Sequence, residues 1–251
     1  MAAAVLLEQI QTVLVVTLDD PDALNTYDGA TLKALGDAWK ELDRTAELRV
    51  AVLTASGTRS FCAGANLQSI AAGGFSDPPY PELAENVSVK PVLAAIEGFC
   101  LGGGMMLACG CDLRVAGESA VFGLPESRWN LPAQWLGALG RQLLPAHALE
   151  LAMLGDARLP AKRLYEMGWV ARVVEDGTAR ATALDLAHRI GQMAPRAVRH
   201  FKELVLASNF TEPQESLARG MEQAVDLMSM SDTAEGVRAS LEGRLPQFRD
   251  E

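Results

Sequence analysis

No uncharged run in this 251-residue chain is long enough to cross a bilayer; the stretch from Gly98 to Cys111 is free of charge but broken by glycines. The N-terminus lacks the basic segment that opens a secretory leader, and its apolar residues continue into an alternating pattern, so no signal peptide is expected. Positive charge is in short supply. A formal net charge of −10 argues against nucleic acid or an anionic membrane as the main partner. A small anionic ligand remains compatible, because a few local Lys or Arg suffice. The four cysteines, Cys62, Cys100, Cys109 and Cys111, all lie in apolar or Gly-rich segments. Cys109-x-Cys111 has neither a second Cys pair nor a nearby His, so no metal site is expected. They read as small buried hydrophobes of a cytoplasmic protein. Histidine is rarer still, and His147, His188 and His200 fall in helical patterns as surface residues.

What remains is an ordinary globular composition, 49% hydrophobic and 22% charged, in a chain long enough to bury a full core. Val5–Gln9, Val13–Leu18, Val50–Ala55, Pro91–Ile96, Leu113–Ala116, Ala120–Phe122 and Trp169–Val174 read as strands. Asp28–Ala46 reads as an amphipathic helix with Leu32, Leu35, Trp39 and Leu42 on one face. Gly73–Pro81 reads as a flexible loop. From Trp135 onward the pattern is mostly helical: Trp135–Leu143, Ala146–Met153, Ala161–Met167, Ala179–Ala194, Pro195–Ser208, Pro213–Met230 and Thr233–Glu242. The expected organisation is a core over residues 1–194 and a C-terminal helical region over 195–251. In the latter, Leu217, Met221, Val225 and Met228 form an apolar face that must cover its own core or a neighbouring subunit.

Two glycine-bearing turns stand out, Phe61-Cys62-Ala63-Gly64-Ala65-Asn66-Leu67 and Gly98-Phe99-Cys100-Leu101-Gly102-Gly103-Gly104-Met105-Met106. Each follows a buried strand and enters an apolar helical pattern, with Met105–Cys109 as the second helix. Such turns present free backbone N–H groups, where negative charge is favoured. Converging, they would make an oxyanion hole. Glu126, in Phe122-Gly123-Leu124-Pro125-Glu126, would be the proton carrier beside it. The spacing is not the Gly-x-Gly-x-x-Gly of a dinucleotide site, and no acidic residue closes a following strand.

Taken in order, these segments resemble the crotonase superfamily, the enoyl-CoA hydratase/isomerase group. The likeness runs essentially end to end, through Pro21-x-Ala-Leu-Asn25, both glycine turns, Cys-Asp112, Phe-Gly-x-Pro-Glu126 and Glu235-Gly-x-x-Ala-x-Leu-Glu-x-Arg244-x-Pro-x-Phe248. The fold class it implies is α/β, a crotonase-like spiral of ββα units with a helical C-terminal region. The assembly it implies is a homotrimer or a dimer of trimers. The implied partner is an acyl-CoA thioester; coenzyme A is then part of the substrate, with no separate cofactor. The resemblance assigns the oxyanion hole to the N–H groups of Ala65 and Gly103, and proton transfer to Glu126. It assigns substrate contacts to Leu24, Ala63, Asn66, Leu67, Gly102, Met106 and Trp129.

The chain departs from the hydratase pattern in an informative way. Hydratases of this group place water with two glutamates, and the first of those positions is Met106 here. Methionine cannot accept a proton or hold a water, so the resemblance points to isomerase-type members, in which one glutamate moves a proton along the acyl chain. Leu124, Trp129 and Met106 would raise the pKa of Glu126 by desolvation. The segment Ser127–Trp135 is unlike the usual small-residue stretch and is expected to wall the acyl pocket; Arg128 reads as a carboxylate reader or a helix cap. The nucleophilic aspartate of dehalogenase-type members is absent, with Gln134 near its place. Asn66 stands where aspartate is frequent and is expected to cap the next helix. Asp22 and Gly243 replace phosphate-binding lysines, leaving Arg59, Arg238, Arg244 or Lys90 to compensate. Hydratase or lyase chemistry with Glu126 alone, and a thioester-binding homologue without turnover, are the competing readings.

Overall fold

Strand alternation with both faces apolar builds the centre of the molecule. The computed structural model describes residues 2–72 and 87–251, and the loop expected at Gly73–Pro81 lies outside them. The first elements are β1 (Ala4–Ile10), β2 (Val13–Asp19), α1 (Gly29–Arg44), β3 (Val50–Ala55), β4 (Ser60–Cys62) and α2 (Leu67–Ala71). Next come β5 (Val92–Ile96), β6 (Phe99–Leu101), α3 (Gly103–Cys109), β7 (Leu113–Gly117), β8 (Val121–Gly123) and α4 (Glu126–Trp129). The chain continues with α5 (Leu136–Gln142), α6 (Pro145–Met153), β9 (Leu159–Pro160), α7 (Ala161–Glu166), β10 (Arg172–Val174) and α8 (Ala179–Gly191). It closes with α9 (Pro195–Ala207), α10 (Pro213–Ser229) and α11 (Ser231–Glu242).

The strands of the described residues divide between two sheets. One runs β1-β2-β3-β5-β7-β10, parallel except for the β1–β2 pair; the other runs β4-β6-β8-β9. Each repeat therefore lays one strand in the large sheet, one in the small sheet, and then a helix. β3-β4-α2, β5-β6-α3 and β7-β8-α4 are three consecutive coils of one spiral. On the large sheet Val13, Val15, Val50, Val52, Leu93 and Val115 pack against Ala179, Ala183 and Ala187 of α8. Alanines four apart make a smooth face on which the helix lies close to the sheet. The alternate residues, among them Leu14, Val16, Ala51, Leu53, Ala94 and Ile96, face the main core with Leu32, Leu35, Trp39 and Leu42 of α1. Asp28 starts α1 with a reciprocal cap: it accepts from the Thr31 N–H at 3.0 Å while Thr31 accepts from the Asp28 N–H.

The structure corrects the sequence reading at short elements. The buried strands do not lead straight into the glycine turns, because β4 and β6 intervene as a second sheet. Only Arg172–Val174 of the expected strand Trp169–Val174 is a strand; the N–H groups of Trp169 and Val170 donate to Leu164 O and close α7. The four cysteines are free and buried, and burial pushes the Cys62 and Cys111 thiols up to about 12. His200 is not a surface residue: its side chain is largely buried, with Nε2 3.5 Å from Asp226. Helices α9–α11 are tied to the core by Lys202, which donates to Asp112 at 2.8 Å and to Lys90 O at 2.9 Å, and by Arg49, which donates to Phe248 O at 2.8 Å. Leu217, Met221, Val225 and Met228 remain exposed. No helix of the described residues is long and apolar enough to cross a membrane.

Candidate active site

The turns after β4, β6 and β8 meet at one cavity of about 510 Å³. Ala65 follows β4, Gly103 follows β6 and Glu126 follows β8, and these three strands are neighbours in the small sheet. The two glycine turns are in contact: a Cβ on Gly64 would lie 3.2 Å from Gly103 N and 3.1 Å from Leu101 O. Among the described residues, neither the Ala65 N–H nor the Gly103 N–H donates to a protein acceptor. For Ala65 this follows from a parallel bridge to Tyr27. The Tyr27 N–H donates to Gly64 O at 3.0 Å and the Asn66 N–H to Tyr27 O at 2.8 Å, so the intervening amide faces away from Tyr27. Gly103 is the first residue of α3 and has no intrahelical acceptor.

Glu126 opens α4, and its carboxylate rests against the second turn, where a Cβ on Gly102 would be 3.0 Å from Oε1. Its Oε2 is buried with no hydrogen-bond partner among the described residues. Burial holds the Glu126 carboxyl above the usual carboxylate range, with a smaller opposing effect from its own backbone N–H. Beside it the cavity wall is apolar, with Met106 fully buried and Trp129, Leu131 and Trp135 on the side of the Ser127–Trp135 segment. That segment does wall the pocket.

Of the sequence-expected residues, Glu126, Ala65, Gly103, Ala63, Leu67, Gly102, Met106 and Trp129 all line the cavity. Leu24 and Asn66 are not in its lining. The Leu24 carbonyl accepts from the Ala63 N–H at 3.1 Å and from Ser60 Oγ at 2.9 Å, so it buttresses the first turn from behind. Asn66 caps α2 as expected, accepting from the Ser69 N–H at 3.1 Å. Among the described residues the Arg128 side chain makes no ion pair and no capping hydrogen bond; its guanidinium lies over the Trp129 ring at 5.1 Å. Lys90 is taken out of phosphate binding, since its ammonium is buried and donates to Leu42 O, Thr45 O and Leu48 O. Arg238 and Arg244 are ion-paired to Glu235, where with the Gln247 N–H they fasten the C-terminal segment. Arg59 is exposed and is the one of the four whose side chain makes neither an ion pair nor a hydrogen bond among the described residues. Sequence reasoning missed Tyr27, a buried residue of the cavity wall whose hydroxyl abuts Gly103. Its phenol is held well above its ordinary pKa by burial, reinforced by Cys62 and Glu126.

Residues 8–251 match the family described as Enoyl-CoA hydratase/isomerase. The chain is a member of that family, within the crotonase superfamily. It is 35% identical over 248 residues to the mevalonyl-coenzyme A hydratase of Aspergillus fumigatus, covering 94% of this chain and 91% of that one. To the (E)-benzylidenesuccinyl-CoA hydratase of Thauera aromatica it is 31% identical over 256 residues, 98% of each chain. The crystal structure of an enoyl-CoA hydratase from Mycobacterium tuberculosis H37Rv superposes with a TM-score of 0.89 at 36% identity, over 98% of this chain and 99% of that one. The spiral is thus the crotonase fold, and the chain is an acyl-CoA-processing enzyme of the enoyl-CoA hydratase/isomerase family.

Proposed function

We propose that this enzyme moves a double bond of an enoyl-CoA from position 3 to position 2 by 1,3-proton transfer. The N–H groups of Ala65 and Gly103 hold the thioester oxygen. Glu126 removes a proton from carbon 2, and the electrons of that C–H bond pass into a dienolate whose charge rests on the held oxygen. Glu126 then returns a proton to carbon 4, so that C2–H breaks, C4–H forms and the C3=C4 bond becomes C2=C3. One such backbone donor is worth on the order of 10²–10³ in rate, about 3–4 kcal/mol. Coenzyme A belongs to the substrate, and the chemistry calls for no separate cofactor.

The observation that carries this reading is the pairing of one carboxylate with one thioether. Glu126 is the only acidic residue among the described residues of the cavity wall, and the other position at which hydratases of this group hold water is the buried Met106. Ala63, Leu67, Gly102, Met106 and Trp129 are proposed to contact the substrate, with Leu24 and Asn66 acting from behind the first turn. Arg59 is the proposed partner of the coenzyme phosphates.

Hydration is the second reading, favoured by the names of the relatives, which include hydratases and dehydratases. A role in binding without turnover is disfavoured by the buried Glu126 oxygen, which has no hydrogen-bond partner among the described residues. The test incubates the protein with 3-enoyl-CoA and 2-enoyl-CoA in deuterated water. Bond migration with deuterium at carbon 2 or carbon 4 is expected. Rapid formation of 3-hydroxyacyl-CoA that survives Glu126→Gln would refute the single-glutamate mechanism.

We further propose that residues 195–251 form the packing region of a homotrimer or a dimer of trimers, supported by the exposed Leu217, Met221, Val225 and Met228. Sedimentation velocity reads this directly. A cytoplasmic setting is in keeping with four free, buried cysteines.

A further inference from the structure

We infer that Tyr27 is a positioning residue, a strut that sets the spacing between the two backbone amides of the oxyanion hole. The inference rests on the assignment of that hole to Ala65 and Gly103. Tyr27 is joined to both turns by different parts of itself. Its main chain brackets Ala65, donating to Gly64 O at 3.0 Å and accepting from the Asn66 N–H at 2.8 Å. Its side chain crosses to the other turn. A Cβ built on Gly103 would fall 1.9 Å from the Tyr27 hydroxyl oxygen and 2.5 Å from Cε1 and Cζ. The phenol therefore occupies the space that any side chain at residue 103 would need.

A ring on two torsions is a stiff spacer. With one end pinned by the bridge to Ala65 and the other pressed on Gly103, the phenol blocks the second turn from closing on the first. Tyr27 is itself buried, so the surrounding core fixes the ring in turn. Rigid placement of donors is what makes an oxyanion hole effective, since no reorganisation is then needed as charge develops. Loss of the hydroxyl would leave a gap against Gly103, and a sub-ångström gap already forfeits part of the contact attraction that holds the turn.

The test needs no turnover. The full-length protein is titrated calorimetrically with butyryl-CoA and with S-butyl-CoA, the thioether that keeps the chain but lacks the carbonyl oxygen. In the wild type the thioester should bind about tenfold more tightly, the size of a modest hydrogen-bonding gain. In Tyr27→Phe, which keeps the ring, that ratio should fall by about threefold, because the thioester loses more affinity than the thioether. In Tyr27→Leu the ratio should approach one; if this variant fails to fold, the phenylalanine variant decides. An unchanged ratio in Tyr27→Phe, equal weakening of both ligands, or no preference in the wild type overturns the inference. Failure of isomerisation shows instead as absent bond migration in deuterated water, with the binding ratio intact.

Discussion

The carboxylate of Glu126 leans on the backbone of Gly102, so closely that a methyl group there would lie 3.0 Å from Oε1. Gly102 also takes φ 54° and ψ −123°, a conformation that residues with a side chain avoid. Gly102→Ala should therefore strain the turn and displace the acid together. The expected result is a loss of stability of about 1–3 kcal/mol in denaturant melts. Turnover should fall by at least about tenfold, as expected for a general acid–base moved from its position. Intact turnover in that variant would mean that the carboxylate does not work from where it sits.

Burial raises the pKa of Glu126, and that fixes the sign of two pH effects. As a base it acts when deprotonated, so kcat/KM should climb as pH rises through the raised value and level off above it. Glu126→Gln should cost about 10²–10⁴ in turnover. Stability runs the other way. Folding favours the protonated acid, so its contribution is full below the ordinary value of 4.5 and is lost as pH rises through the folded-state value. At pH 7 Glu126→Gln should melt above the wild type, with the gap narrowing as the pH approaches 4.5. A lower melting point for the glutamine variant at pH 7 contradicts a desolvated carboxylate.

Lys90 gathers three carbonyl oxygens, those of Leu42 at 2.8 Å, Thr45 at 2.8 Å and Leu48 at 2.7 Å, where α1 ends. Lys90→Met keeps the stem and strands three acceptors. A loss of about 2–4 kcal/mol is expected in urea melts, offset in part by relief of the buried charge. The folded fraction should keep its KM, because Lys90 is not part of the cavity wall.

Arg59 is exposed and carries no ion pair among the described residues. Arg59→Ala should raise KM for a coenzyme A thioester by about twofold to fivefold, the size of one exposed charge contact, and the effect should fade in high salt. The matching pantetheine thioester, which lacks the nucleotide phosphates, should show no change. Equal effects on both substrates would place Arg59 elsewhere in binding.

The long elements are legible in the sequence because their periodicity has room to repeat. Val13–Leu18 and Val50–Ala55 are apolar on both faces, as strands between two layers must be, and Leu32, Leu35, Trp39 and Leu42 mark one side of α1. The strands β4 and β6 are three residues each, too short for alternation to register, and β8, which the sequence shows one residue early as Ala120–Phe122, does not by itself reveal a second sheet. Glu126 and the glycine turns are visible because their residue types are chemically demanding. Tyr27 is not, since a single aromatic after Asn25 carries no periodic signal. Its part is visible only once Gly103 is found against its hydroxyl. Arg128 could not be placed from sequence either, because its partner is the face of the neighbouring Trp129.

Because Ala65, Gly103 and Glu126 issue from adjacent rungs β4, β6 and β8, the dimensions of the proposed reaction centre are inherited from main-chain pairing, about 4.8 Å per rung. Side-chain evolution can reshape the acyl wall from Trp129 to Trp135 without touching that ruler. Grafting the wall of a relative onto this scaffold should therefore exchange substrate preference while leaving the pitch between proton carrier and carbonyl grip unaltered.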